Sequence, residues 1–315
     1  MHVLMTNDDG PPAPNSSPYI FPLFQQIKKD TDWKTTVVLP DSQKSWISKA
    51  IFINDKVLET FYDPETEKTT DSRQSEKDWT LLTGTPATCS SIGIHHICQD
   101  KPDLILSGPN YGRNTSSIAA LASGTLGAAF EGAGAGVRAI AISYAFWDGK
   151  TMDYVEEASA LVVKLCQYLY ANWDEGVDVY SINVPLCKEM ATGEDKILWT
   201  HIHQAQHSPL FQETRAKHSP LFQETRAKPL DEHALREAQS QGKDTTVEES
   251  GEASKTKPRT FEFRPRFQDL QKSINDEQGR LSDTWAVAER NISVTPLRAN
   301  FMHQDIGTRN REIKL

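Results

Sequence analysis

Long apolar runs are missing from this 315-residue chain. Nothing in it approaches the roughly 20 apolar residues that a membrane-spanning helix needs. The first residues carry neither a basic flank nor a long apolar core, so no secretory signal is legible and the expected compartment is the cytoplasm. Cysteine is scarce: Cys89, Cys98, Cys166 and Cys187 form no CxxC pair and sit in apolar stretches. Buried, reduced thiols are therefore expected rather than disulfides. Positive charge is also short, with 34 Lys and Arg against 43 Asp and Glu and a formal net charge of −9. That balance argues against a nucleic-acid polymer as partner. Small anions stay admissible, because a bound cation inverts the local potential. Three familiar motifs are absent as well: no GxGxxG follows a strand, no GxxxxGK[ST] occurs, and there is no GxSxG elbow. Dinucleotide binding, P-loop chemistry and a serine hydrolase lose their support accordingly. What remains is a chain long enough to bury one large α/β core or two smaller ones.

The stretch around which the chain is organised is Met1–Gly10, MHVLMTNDDG. Val3, Leu4 and Met5 run straight into Thr6-Asn7-Asp8-Asp9-Gly10, which reads as a buried strand ended by a turn. Asn-Asp-Asp-Gly is ordinary turn chemistry in its own right. Two adjacent carboxylates, however, repel each other and are hard to bury without a cation. A hard divalent metal at the top of the first strand is the competing expectation. Successive strand side chains point to opposite faces, so Asp8 and Asp9 share a ligand only if the chain leaves the strand there.

Asn15-Ser16-Ser17-Pro18 then reads as a helix start, with an apolar stripe at Ile20, Phe24 and Ile27. KTTVVLP (34–40) is the next strand, giving a βαβ unit with a right-handed crossover. Alternation predicts strands at Ala50–Leu58 and Trp79–Leu82, flanking a charged loop at Asp63–Lys77. A helix follows over Ala87–Cys98, in which His95 and His96 read as core or surface positions rather than ligands. DLILS (103–107) has the continuous apolar character of a strand buried on both faces. A small-residue helix after Ser123-Gly124-Thr125, a strand at 139–143, a helix at 154–171 and a strand at 177–185 continue the alternation. The expected fold is α/β, a doubly wound sheet. HSPLFQETRAK occurs twice in succession, at 207–217 and 218–228, too few copies for a solenoid. Residues 229–258 are polar enough to be expected disordered. Order is expected again at Phe261–Phe267, and NISVTPL (291–297) is the last strand.

The loops after the first strand, the second strand and DLILS share one sheet edge. Asp8, Asp9, Ser45 and Asn110 can converge there as oxygen donors that suit Mg²⁺, Mn²⁺ or Ca²⁺. Asn114, Thr115 and Ser123-Gly124-Thr125 add hydroxyls and amides at a helix start, a ready anion site. Each of these residues taken singly is equally a turn or cap residue. A receiver-type acidic pocket would need an Asp ending the central strand, where this chain has Ser107-Gly108. The combination points to hydrolysis of a phosphate ester.

Seven segments carry a family resemblance: TNDDG (6–10), PDSQKSWIS (40–48), TGTPATC (83–89), SGPNYGRNT (107–115), SGTLGAAFEG (123–132), INVP (182–185) and SVTPL (293–297). Together they resemble the SurE family of metal-dependent 5′-nucleotidases and phosphatases, in its fungal form. The resemblance implies a Rossmann-like, doubly wound, mainly parallel sheet with an extended C-terminal arm. A core is expected over 1–200, an insert over 201–260 holding the duplication, and over 261–315 the C-terminal part of the same domain, including an arm that the resemblance links to a homodimer or homotetramer. The resemblance also implies a phosphomonoester hydrolase acting on nucleoside monophosphates, with Mg²⁺ or Mn²⁺ held by Asp8, Asp9, Ser45 and Asn110. Asn114, Ser123, Gly124 and Thr125 would hold the phosphate, and Asp8 and Asp9 would serve catalysis, with Asp8 acting on the nucleophile. Bacterial members have an Asp and a His shortly after TPL. Here Asn300 and His303 occupy that region, and His303, one residue off the family spacing, is the candidate proton donor. Some fungal relatives fuse this domain to a tubulin-tyrosine-ligase-like domain, of which these 315 residues show no sign. The altered C-terminal region and the polar insert keep open a second reading, a non-catalytic binding or assembly module on the same scaffold.

Overall fold

The computed structural model describes residues 1–147, 149–150, 152–193, 196–214, 259–265 and 281–300. The run of Val3–Met5 forms β1 (His2–Thr6), and the βαβ unit continues through α1 (Ile20–Asp30) and β2 (Lys34–Pro40). Next come β3 (Glu59–Asp63), β4 (Lys68–Thr70), β5 (Trp79–Leu82), α2 (Pro86–Ile92) and β6 (Leu104–Tyr111). After them stand α3 (Ser116–Ala122), α4 (Gly124–Gly134), β7 (Arg138–Ala145), α5 (Val155–Ala171), β8 (Val179–Pro185) and α6 (Lys188–Thr192). The described residues end with β9 (Ile197–Trp199), β10 (Phe211–Thr214), β11 (Thr260–Phe263), α7 (Asp283–Ala288) and β12 (Ile292–Leu297).

Ten strands form one sheet in the order β4-β3-β5-β2-β1-β6-β7-β8-β12-β9. From β5 to β8 every pairing is parallel, while β3, β4 and the β8–β12 pair are antiparallel. The mainly parallel, doubly wound sheet is as expected. Its centre is buried on both sides. Val3 and Met5 join one apolar cluster with residues of α1 and α5, whereas Leu4 joins another with residues of α2 and α4. That is the strand period of two, satisfied by a helical layer on each face.

The order reverses at β1. From it the chain winds outward one way through β2 and β5, then returns and winds the other way through β6, β7 and β8. In an open sheet such a switch point leaves a crevice beyond the strands' C-terminal ends. It lies here between the ends of β1 and β6, where TNDDG and SGPNYGRNT stand.

Three local expectations are corrected. Helix α1 begins at Tyr19–Ile20 with no side-chain cap. Ser17 is used elsewhere: its hydroxyl donates to Gly10 O at 2.8 Å, tying the turn after β1 to the approach to the helix. Residues 50–58 form no strand. The strand is β3, and β4 lies inside the expected charged loop; alternation in exposed Ile51 and Ile53 carried no sheet partner. The helix over 87–98 is an α-helical segment, α2, running into a π-helical turn at Gly93–Ile97. Gly93 is squeezed there, since a Cβ on it would stand 2.8 Å from Leu4 Cδ2.

All four cysteines are free and buried. Burial pushes the Cys166 thiol up to about 12 and the Cys187 thiol up to about 11, so neither is poised as a nucleophile. Among the described residues no helix is long and apolar enough to cross a membrane.

The first copy of the duplicated segment supplies β10, which pairs antiparallel with β11 from Phe211↔Phe263 to Thr214↔Thr260. Arg264 N–H donates to Leu210 O at 2.8 Å, and Arg259 meets Glu213 at 3.5 Å. The second copy and residues 229–258 lie outside the described residues. Because the copies are identical and contiguous, deleting either yields the same sequence, and every residue of β10 is kept. The deletion variant should melt within about 2 °C of the parent, less than a 1 kcal/mol change produces. A larger drop in a thermal scan would mean that both copies are engaged.

Candidate active site

The turn after β1 shows the turn chemistry expected of TNDDG, carried by Asn7 and Gly10. Asn7 Oδ1 accepts the Gly10 N–H at 2.9 Å, and Asn7 Nδ2 donates to Gly10 O at 2.9 Å and to Ser17 Oγ at 3.1 Å. Asn7 and Gly10 thus close the turn, and Asp8 and Asp9 are released from it. Both carboxylates are nonetheless buried, Asp8 at 3% and Asp9 at 1% exposure.

Each is held by a different element. Asp9 Oδ2 accepts the Tyr111 N–H at 2.6 Å from the end of β6, and Gln43 Nε2 stands 3.4 Å from Oδ1. Asp8 Oδ1 accepts the Thr125 hydroxyl at 2.6 Å, from the first turn of α4. The backbone carbonyl of Asp8 accepts the Lys44 N–H at 2.7 Å. This fastens the loop that carries half-buried Ser45 against the same turn. Asn110 immediately precedes Tyr111. Its amide donates to Gly112 O at 2.6 Å, and its Oδ1 accepts no hydrogen bond among the described residues. The loops bearing Asp8, Asp9 and Ser45 and the end of β6 bearing Asn110 therefore meet at the crevice.

The fit to a metal rests on donor chemistry. Among the described residues no three His, Cys, Asp or Glu side chains cluster. The charged donors are the two adjacent carboxylates, and neutral oxygens must complete the set. Two carboxylates with a hydroxyl and an amide oxygen suit a hard cation such as Mg²⁺ or Mn²⁺. Space is tight around them: a Cβ on Gly124 would stand 2.7 Å from Asp8 Cβ and 3.0 Å from Asp8 Oδ2. Only glycine lets the start of α4 approach the carboxylate this closely.

Thr125 is the hinge between the two halves of the site. Besides serving Asp8, its hydroxyl accepts from Asn114 Nδ2 at 3.4 Å, and its carbonyl accepts the Ser107 hydroxyl at 2.7 Å. Asn114 Nδ2 also donates to Ser143 Oγ at 3.0 Å, and the Asn114 N–H goes to Asn183 Oδ1 at 2.8 Å. Ser123 caps α4, its oxygen accepting the Leu126 N–H at 3.1 Å while the hydroxyl proton is left to donate. Thr115 Oγ1 and Ser116 Oγ are buried without a partner among the described residues. Asn114, Ser123, Gly124 and Thr125 thus stand together. His303 lies outside the described residues; Asn300, three positions before it, is exposed.

Sequence reasoning missed the supports of Asn114. Ser143 and Asn183 are polar residues buried within β7 and β8, and buried polar groups in sheet strands were the available signal. It also missed Asp283, which accepts N–H bonds from Ser116 at 2.9 Å, His203 at 2.9 Å and Thr284 at 2.7 Å. Burial raises its carboxyl above the ordinary carboxylate range, against those donors. Arg113, also buried, is lowered to about 10 by desolvation and by Arg290, with Asp283 opposing. Asp283 holds the backbone two residues after Asn114, where Ser116 takes a left-handed φ of 70°.

The family model described as Survival protein SurE matches residues 3–209. The chain belongs to the SurE family. Among its relatives, a protein of Methanocaldococcus jannaschii named 5′-nucleotidase SurE is 31% identical over 226 residues, 68% of this chain and 76% of that protein. A protein of Saccharomyces cerevisiae named as a probable tubulin–tyrosine ligase is 34% identical over 336 aligned residues, covering 96% of this chain. The alignment covers 41% of that relative, so the chain spans well under half its length. The crystal structure of the SurE protein from Aquifex aeolicus matches with a TM-score of 0.64 over 98% of this chain and 97% of its own, at 21% identity. At that identity the match establishes the SurE fold.

Proposed function

We propose that this SurE-family chain is a metal-dependent phosphomonoester hydrolase of the 5′-nucleotidase type, releasing phosphate from nucleoside monophosphates. The observation that carries the reading is the burial of Asp8 and Asp9 side by side at the switch point, against the amino-terminal turn of α4. The nucleotidase names of relatives such as the Methanocaldococcus jannaschii protein support it.

In this reading Asp8, Asp9, Ser45 and Asn110 hold Mg²⁺ or Mn²⁺, with Ca²⁺ able to take the same oxygens. The ion, when bound, lowers the pKa of a water and offsets phosphate charge. Backbone N–H groups at Gly124 and Thr125, the Ser123 hydroxyl and the Asn114 amide, which gives up its 3.4 Å contact to Thr125, bind phosphate oxygens at the helix start. Asp8, oriented by the Thr125 hydroxyl, takes the proton of the attacking water as its oxygen bonds to phosphorus. The ester P–O bond breaks, and His303 returns a proton to the leaving alcohol. Residues 1–200 act as the catalytic core, 201–260 as an insert, and 261–315 as the C-terminal part of the same domain, contributing β12 to its sheet. The same segment carries the arm through which two or four copies assemble, in the cytoplasm.

The test is phosphate release from a panel of nucleoside monophosphates and simple phosphate esters, with EDTA and then with Mg²⁺ or Mn²⁺ restored. Release that EDTA abolishes and metal restores is the expected result. Silence under every metal, from protein shown to be folded, would overturn it in favour of a binding or assembly module.

A further inference from the structure

Trp46 lies between two residues that belong to the site and takes part in neither half of it. On one side is Ser45. On the other is Ile47, whose Cγ2 is 3.2 Å from the position of a Cβ on Gly124, the point that lies 3.0 Å from Asp8 Oδ2. The next residue, Ser48, donates its N–H to Ala122 O at 2.9 Å, so the segment is strapped to the entrance of α4. Trp46 itself holds a left-handed φ of 59°, an uncommon conformation for a bulky side chain that persists where surrounding contacts impose it. The ring is half-buried and joins none of the apolar clusters that build the core.

Its partner comes from far along the chain. Trp46 meets Phe263 of β11 edge-to-face, with centroids 4.9 Å apart and planes at 66°. Phe263 in turn meets Phe211 of β10 at 5.6 Å. Three rings from three separate stretches thus assemble one position along the chain from Ser45, where neither phosphate nor metal chemistry requires an aromatic. A nucleoside monophosphate whose phosphate sits at the start of α4 leaves its base, beyond the ribose, to meet a surface outside the phosphate and metal positions.

We propose that Trp46, buttressed by Phe263, is the stacking platform for the base of a nucleoside 5′-monophosphate bound at this site. The proposal rests on the phosphatase reading and deepens it. Stacking on an aromatic face accepts every base, since each has a π-face. The site should therefore tolerate all bases while preferring nucleotides to phosphate esters that lack one.

The experiment is calorimetric titration, with Mn²⁺ present, of parent, Trp46→Ala and Trp46→Phe. The ligands are the P–C-linked phosphonate analogues of adenosine 5′-monophosphate and of ribose 5-phosphate, which resist hydrolysis. The parent should bind the adenosine compound about tenfold or more tighter than the ribose compound, the scale of one base–aromatic stack. Trp46→Ala should lose most of that ratio, and Trp46→Phe should keep it. A parent ratio near one, or an unchanged ratio in Trp46→Ala, would overturn the platform. An equal fall for both ligands would do so too, and would give Trp46 the merely structural role of placing Ser45. A parent that binds neither ligand would instead remove the phosphate site, and the platform with it.

Discussion

Asp8→Asn is expected to lower kcat/KM for nucleoside monophosphates by about 10³-fold or more, the upper range for losing a general base, while the protein stays folded. Asparagine matches the volume of aspartate and can still accept the Thr125 hydroxyl, now at 2.6 Å from Asp8 Oδ1. What it removes is the charge. One of two adjacent buried carboxylates disappears, so repulsion in the metal-free fold is relieved rather than increased. Cation affinity falls for the same reason, because a hard ion is held by ligand charge. A second readout follows that does not depend on turnover. Mn²⁺ should raise the melting temperature of the parent, as any ligand selective for the folded state does, and should leave that of Asp8→Asn where it was. A fully active variant would remove Asp8 from the mechanism. A variant that kept the Mn²⁺ response would remove it from the metal site.

Gly108→Ala should cost about 3 kcal/mol of stability or more, the upper range for forcing atoms into a packed interior. Gly108 has a φ of +114°, and a Cβ there would stand 2.2 Å from Ile142 O and 3.0 Å from Asn110 N. Both are backbone atoms inside the sheet, so no side-chain rotation relieves the contact. The position also bears on the proposed site. Between Ser107 and Asn110 the register against β7 shifts, with Ser107 opposite Ala141 and Asn110 opposite Ser143. Such a bulge re-aims the residues that follow it. It delivers Asn110 to the crevice and Tyr111 N–H to Asp9. A urea midpoint, converted through an unchanged m-value, measures the loss. Any protein recovered folded should also show a lower kcat. A midpoint unchanged in Gly108→Ala would mean that β6 and β7 part without cost, against the burial of every residue in β6.

The strand and helix alternation was legible because it is local. KTTVVLP matches β2 residue for residue, and Trp79–Leu82 matches β5; in each, buried faces impose their pattern over a few neighbours. The failures also have local causes. Ser17 is as good a helix cap as any, but Gly10 and Asn7 compete for its hydroxyl across the turn. The alternation of 50–58 mimics a strand, yet a strand exists only if a partner with open hydrogen bonds lies beside it. The sequence contains no sign of where that partner is. That Asp8, Asp9, Ser45 and Asn110 stand on one sheet edge follows from topology, since the first three come after β1 and β2 and Asn110 lies near the C-terminal end of β6.

By itself, then, the sequence determined the layers, the edge on which the chemistry stands and the oxygen donors available there, because burial period, turn residues and crossover handedness act over short spans. Only the tertiary structure decided how those donors are held. Thr125 meets Asp8 across 117 positions, Ser116 meets Asp283 across 167, and Asn114 meets Asn183 across 69. Trp46 finds Phe263 at a still greater remove. Contacts of that span depend on the packing of the whole sheet and its two helical layers, and no periodicity in the chain encodes them.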